Sequence, residues 1–206
     1  MKSGMKIIVT IIIAIIVILV LGIITNVIRN NIIMKKLYEN SSELKTSIKN
    51  YYYEKKSELS EGETRTTTYK IYNYNDKYLI KEYYNDEGNI TTEWIDKSIP
   101  EYVSINEKTG EKTQEIKMKE YDKEYEEALF STTIDTVGYG KILTANIFIP
   151  IKIEDNCYVI NYDNTTFYVN TNTGITSKVF YGNGNVSCTY KLKNNSVIEN
   201  EVIKPE

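Results

Sequence analysis

The chain has 206 residues, room for one folded domain and an anchor. Its net charge is −3, and it has no histidine, the commonest general base and metal ligand. Lys2, Lys6 and Arg29 are the only charged side chains in residues 1–30, leaving 22 basic against 28 acidic residues beyond, an acidic body that excludes a nucleic-acid partner requiring a clustered basic face.

Residues 1–6 form a short tail. Residues 7–28 read IIVTIIIAIIVILVLGIITNVI, with no ionisable side chain. At about 1.5 Å per residue, such a helix spans about 30 Å, the thickness of a bilayer's hydrocarbon core. Its single alanine, Ala14, lies mid-run rather than at an A-x-A-like cleavage site, and no cysteine follows to accept a lipid. A retained single-pass anchor is expected. Basic residues flank it on both sides, so the positive-inside rule is near balance. A signal-like start and a large body favour a cytoplasmic N-terminus and an extracytoplasmic body at the cell membrane.

Residues 29–50 carry Ile32, Ile33, Leu37, Leu44 and Ile48 at partly helical spacing. This predicts one or two helices, broken near Asn40-Ser41-Ser42, that lead into a domain at 51–206. Short β-branched and aromatic runs at 69–72, 78–84, 90–94 and 102–105 then alternate with turn clusters such as Asn75-Asp76 and 85–89, the pattern of an antiparallel meander.

A helical insert is expected at 121–149. Over 121–137, Asp122 serves as N-cap, and Tyr125, Leu129, Phe130, Thr133, Ile134 and Val137 share one face. The next residues, Thr136-Val137-Gly138-Tyr139-Gly140, resemble a potassium-channel selectivity filter. A filter loop, however, survives at membrane depth only when flanking spanning helices bury it. The apolar run ends far upstream, and ILTANIFIPI at 142–151 is too short to cross. Asp135 and Lys141 also depart from the filter pattern. The stretch therefore reads as a helix ending at Gly138, and ion conduction is rejected.

Strands return at Cys157–Tyr162, 166–171, 175–181, Val186–Lys193 and 197–204, separated by Asn-, Asp- and Gly-rich turns. Val186, Cys188, Tyr190 and Leu192 share a side, as do Ile175, Val179 and Tyr181. One apolar sheet face follows, to be covered by the 121–137 helix and by residues 142–149, including Ile147. Cys157 and Cys188 are either a disulfide or two buried thiols; in a simple meander their strands are not neighbours. No phosphate-binding glycine loop occurs, and no carboxylate pair stands out. The expectation is a non-enzymatic chain without metal or cofactor.

A helix, a meander, a helical insert and a closing meander containing Cys157-Tyr158-Val159-Ile160 and TFYVNTNTGITSKVF together resemble the lipoprotein-carrier-like (LolA-like) domains. The resemblance implies an α+β fold, a curved antiparallel half-barrel with helices on its concave face. It also implies lipid or lipoprotein binding, or a sensor or scaffold role on bacterial membranes. This chain departs in keeping its anchor, so a shuttling carrier is not implied. Two roles follow: a module for an envelope protein partner, or a site for a lipid or other apolar ligand on the concave face, whose candidate residues are Leu129, Phe130, Ile134, Ile147 and Tyr190; if the first four fill the concavity, no cavity remains and the partner role gains.

Overall fold

A computed structural model describes residues 2–61, 63–85, 89–99, 101–115, 138–182 and 185–205. The expected helix at 121–137, with Leu129, Phe130 and Ile134, lies outside the described residues. The fold is α+β: among the described residues it has one long apolar helix, then an antiparallel sheet of eleven strands that does not close into a barrel, with one further short helix.

Helix α1 spans Lys2–Ser47 without interruption. The break expected at Asn40-Ser41-Ser42 is absent. Ser41 is buried, and its hydroxyl donates to the helix's own Tyr38 carbonyl at 3.1 Å, so the polar side chain is satisfied without leaving the helical path. Residues 5–22 are exposed on every side; from Asn30 onward one face is buried. Composition and length make α1 able to span a membrane.

The strands are β1 (Tyr52–Glu61), β2 (Glu63–Tyr74), β3 (Lys77–Tyr84), β4 (Asn89–Asp96), β5 (Glu101–Asn106) and β6 (Glu111–Glu115). Helix α2 (Tyr139–Ala145) follows, then β7 (Lys152–Glu154), β8 (Cys157–Tyr162), β9 (Thr165–Asn170), β10 (Thr176–Tyr181) and β11 (Val186–Lys193). Their order is β6-β5-β4-β3-β2-β1-β11-β10-β9-β8-β7. Two meanders are thus joined at their middle by β1 and β11. Three hairpins turn on Asn/Asp pairs held at positive φ: Asn75-Asp76, Asp155-Asn156 and Asp163-Asn164. Two-residue turns of this kind match the twist of the strands they join, and Asn and Asp tolerate the left-handed conformation.

Register assigns the two faces. On the first, Leu192, Tyr53, Ile71 and Ile80 lie in one row across β11, β1, β2 and β3. A second row on that face runs Cys188, Val179, Phe167, Ile160. The lower half of α1 lies over the β8–β9 end of this face. On the opposite face, Tyr52, Tyr72, Leu79, Trp94 and Val103 form a row. Val197 and Val202 from the C-terminal segment pack there.

Two expectations are corrected. Residues 197–204 are not a strand. They form a strap with a 3-10 turn at Glu199–Glu201, because β11 is already flanked by β1 and β10 and offers no free edge to pair with. Trp94 Nε1 donates to the Val202 carbonyl at 3.2 Å, and Lys204 pairs with Glu101. In β10 the ladder shifts register between Thr176 and Lys178, which breaks the alternation: Thr176, opposite Val169, takes the buried place and Ile175 is only half-buried.

Candidate functional site

The most elaborate polar construction in the chain is where α1 meets the sheet. Asn26, Asn30, Ile33, Met34, Leu37 and Ser41 recur at three- and four-residue steps, so they form one stripe along the helix. Its middle is apolar. Ile33, Met34 and Leu37 pack with Ile142 of α2, Ile151, Tyr158, Ile160 and Val169.

The upper end of the stripe binds the loop between α2 and β7. The Asn26 side-chain amide donates to the carbonyls of Asn146 (3.2 Å) and Ile147 (2.7 Å). That of Asn30 donates to Asn146 (2.8 Å) and Ile149 (3.2 Å), and its oxygen accepts from the Ile151 N–H at 3.2 Å. Arg29 donates to the Ile151 carbonyl at 3.2 Å. Asn146 is itself buried and donates to Ile142 and to Asn161 of β8. Every one of these buried amides has partners, as buried polar groups require. The carbonyls of Asn146, Ile147, Ile149 and Ile151 are engaged by α1, while two side chains at the tip of the loop stay exposed: Phe148 at 77% and Ile149 at 47%.

The lower end of the stripe depends on a glycine. Gly174 has φ +69, and a Cβ there would stand 2.5 Å from the Leu37 carbonyl oxygen and 2.9 Å from the Ser41 nitrogen. Only a residue without a side chain lets the β9–β10 turn approach the helix backbone so closely. Asn40 secures the same turn by donating to the Thr171 carbonyl at 3.2 Å.

The residues singled out from sequence are dispersed. Ile147 is at the junction, half-buried, and contributes its carbonyl to Asn26. Tyr190 packs against the central cluster of Tyr53, Ile71 and Ile80 on the first face. Burial pushes its phenol well above the ordinary range, and nearby Cys188 and Tyr181 add to the effect. Cys157 and Cys188 are free, buried thiols beside Ser177 and Ser57 respectively, each at 3.3 Å. No disulfide joins them. Strands β9 and β10 intervene, about 14 Å of sheet against the roughly 7 Å a bond allows, and the two side chains project from opposite faces. Among the described residues no cluster of three or more metal-binding side chains occurs.

Open grooves lie elsewhere among the described residues, and two of them are informative. One, of ≈ 600 Å³, runs past Ala145, Tyr162, Asp163, Asn164 and Phe180. The other, of ≈ 340 Å³, lies on the second face between Tyr52, Glu54, Tyr72, Lys191 and Glu201. In it Lys191 Nζ donates to Glu54 at 2.7 Å, and the Tyr52 hydroxyl donates to the other carboxylate oxygen. Partial burial raises the Glu54 pKa, but these hydrogen bonds outweigh it and hold the carboxyl below its ordinary 4.5. The arrangement is a satisfied ion pair.

Sequence reasoning missed Asn26, Asn30 and Gly174. A signal was present: the two asparagines stand four apart and continue the helical stripe of Ile33 and Leu37. No known family model and no characterised protein matches this chain.

Proposed function

We propose that the chain is a non-enzymatic, single-pass membrane protein whose body stands outside the cytoplasm and serves as an interaction or scaffold module for a protein of the cell envelope. One observation carries this reading. A single unbroken helix is apolar and exposed all round over residues 5–22, then is held tightly to the sheet by amides and a glycine contact. An exposed all-apolar helix half demands lipid around it. A stiff connection suits a module that presents a surface at a set height and angle. The grooves described are open, and the ion pair in one of them is satisfied, which suits surface recognition better than chemistry.

A long helix laid on one face of an unclosed antiparallel sheet also accords with the lipoprotein-carrier-like resemblance. A tethered member of that type would present or sense rather than shuttle. Protease treatment of intact cells tests the orientation: the body should be degraded without permeabilisation, and protection until permeabilisation overturns it. Lipid extraction of the purified full chain tests the role. No stoichiometric apolar molecule is expected beyond annular lipid; recovery of one bound species overturns the interaction reading in favour of ligand binding.

A further inference from the structure

We infer that the loop joining α2 to β7 is a second membrane contact, an apolar wedge led by Phe148 and Ile149 that enters the lipid interface beside α1. The inference rests on the reading that residues 7–28 span a bilayer. Asn26 lies two residues, about 3 Å along the axis, inside the end of that apolar run. Its amide holds the Ile147 carbonyl at 2.7 Å, so the loop is fixed at the depth where the helix leaves the hydrocarbon. Asn30 and Arg29, one turn further on, hold Ile149 and Ile151. Hydrogen bonds from α1 engage the carbonyls of Asn146, Ile147, Ile149 and Ile151, which lowers the backbone cost of seating Phe148 and Ile149 in the lipid interface, where the loop's other backbone groups still meet headgroup water.

The exposed side chains fit the same depth. Phe148 and Ile149 are exposed, and Leu19, two turns before Asn26 on the helix face that binds the loop, is exposed as well. In water these would be uncovered apolar groups at the body end of the anchor. Lys152 follows the loop and is exposed, as is Arg29, so cationic groups flank the apolar tip at the level of the headgroups. Pro150, which has no N–H, helps to end the loop without an orphan donor.

The test uses the full chain reconstituted into phosphatidylcholine vesicles, with one added cysteine carrying an environment-sensitive fluorophore. Cys157 and Cys188 are buried, so an exposed added thiol reacts selectively. Phe148→Cys reports on the loop, Val17→Cys on the helix centre, and Thr109→Cys on the exposed β5–β6 turn. Quenching by shallow spin-labelled lipid should exceed quenching by deep-labelled lipid at 148, with the reverse at 17. Iodide should quench 148 about threefold less than 109. If 17 behaves as lipid-embedded while 148 matches 109 in iodide, the wedge is overturned and the anchor stands. If 17 is not quenched by lipid, the anchor reading falls and the wedge with it. If 148 is shielded from iodide yet untouched by either lipid quencher, a protein covers the loop and the wedge is again overturned.

Discussion

Among the described residues two segments cover the sheet, one on each face, and they are held by different physics. The C-terminal strap lies over Trp94 and Val103 through Val197 and Val202; its polar ties include the indole hydrogen bond, a backbone bond from Val197 to the Asn50 carbonyl, and Lys204, which pairs with Glu101 and lies over the Trp94 ring. Its contact is mostly apolar area, which is non-directional. Helix α1 has an apolar centre too, but both ends of its contact are specified: asparagine amides grip individual carbonyls, and Gly174 admits the helix backbone at one place. The strap stabilises the domain; the α1 junction also sets the direction in which the domain is held.

That contrast can be broken in order of expected effect. Trp94→Ala should cost about 4 kcal/mol, the usual loss for a buried aromatic, read as a fall in the urea midpoint of the body. Distances between spin labels on α1 and on β9 should nevertheless be unchanged. Gly174→Val should cost about 3 kcal/mol, from a left-handed φ forced on a β-branched residue and from the clash with the Leu37 carbonyl. Here the helix-to-β9 distance should widen. An unchanged distance would mean that the glycine shapes only its own turn. Asn30→Leu should cost about 2 kcal/mol, because the buried Ile151 N–H and Asn146 carbonyl each lose a partner. Hydrogen exchange should accelerate at Ile151, with little change in the strap.

The smallest effect is the dependence on pH, whose acid side should report on the strap face. Glu54 and Asp96 both have carboxyls held below their ordinary values. For Asp96, burial works the other way but is outweighed by the hydroxyl and N–H of Ser98. A depressed folded pKa contributes stability that is complete above the ordinary values of 4.5 and 3.8 and is lost as pH falls through the folded ones. On the alkaline side, burial raises the phenols of Tyr52, Tyr53 and Tyr190. Their contribution is complete below the ordinary 10.0 and fades as pH rises through the folded values. Thermal midpoints measured from pH 3 to 11 should therefore show a plateau that falls at both ends. Asp96→Asn should flatten the acid edge.

How much of this could be read from the amino acids depended on whether a segment's own pattern determined its place. Strands β3, β4 and β8 carry alternating apolar residues and Asn/Asp turns, and they form where that pattern predicts. Strand β1, YYEKKSELSE, is half charged and shows little periodicity, yet it is the central strand because β2 and β11 supply ladder partners on both sides. The unbroken helix and the strap were hidden for a related reason: Asn40-Ser41-Ser42 and residues 197–204 have local preferences that tertiary contacts override. At the junction, Ile147 was noticed for its apolar side chain, whereas its carbonyl makes the bond to Asn26. Backbone acceptors leave no mark on a sequence.

The absence of any joint in α1 has a mechanical meaning. From Ile28 to Ser47 the helix extends about 28 Å, with the sheet clamped along it. Leaning the buried half by about 10° would swing the far end sideways by about 5 Å, and the eleven strands would travel with it as one lever. In the proposed setting, a thinner bilayer that tilts the rod, or a thicker one that straightens it, would re-aim the entire presented surface without altering a single contact inside it.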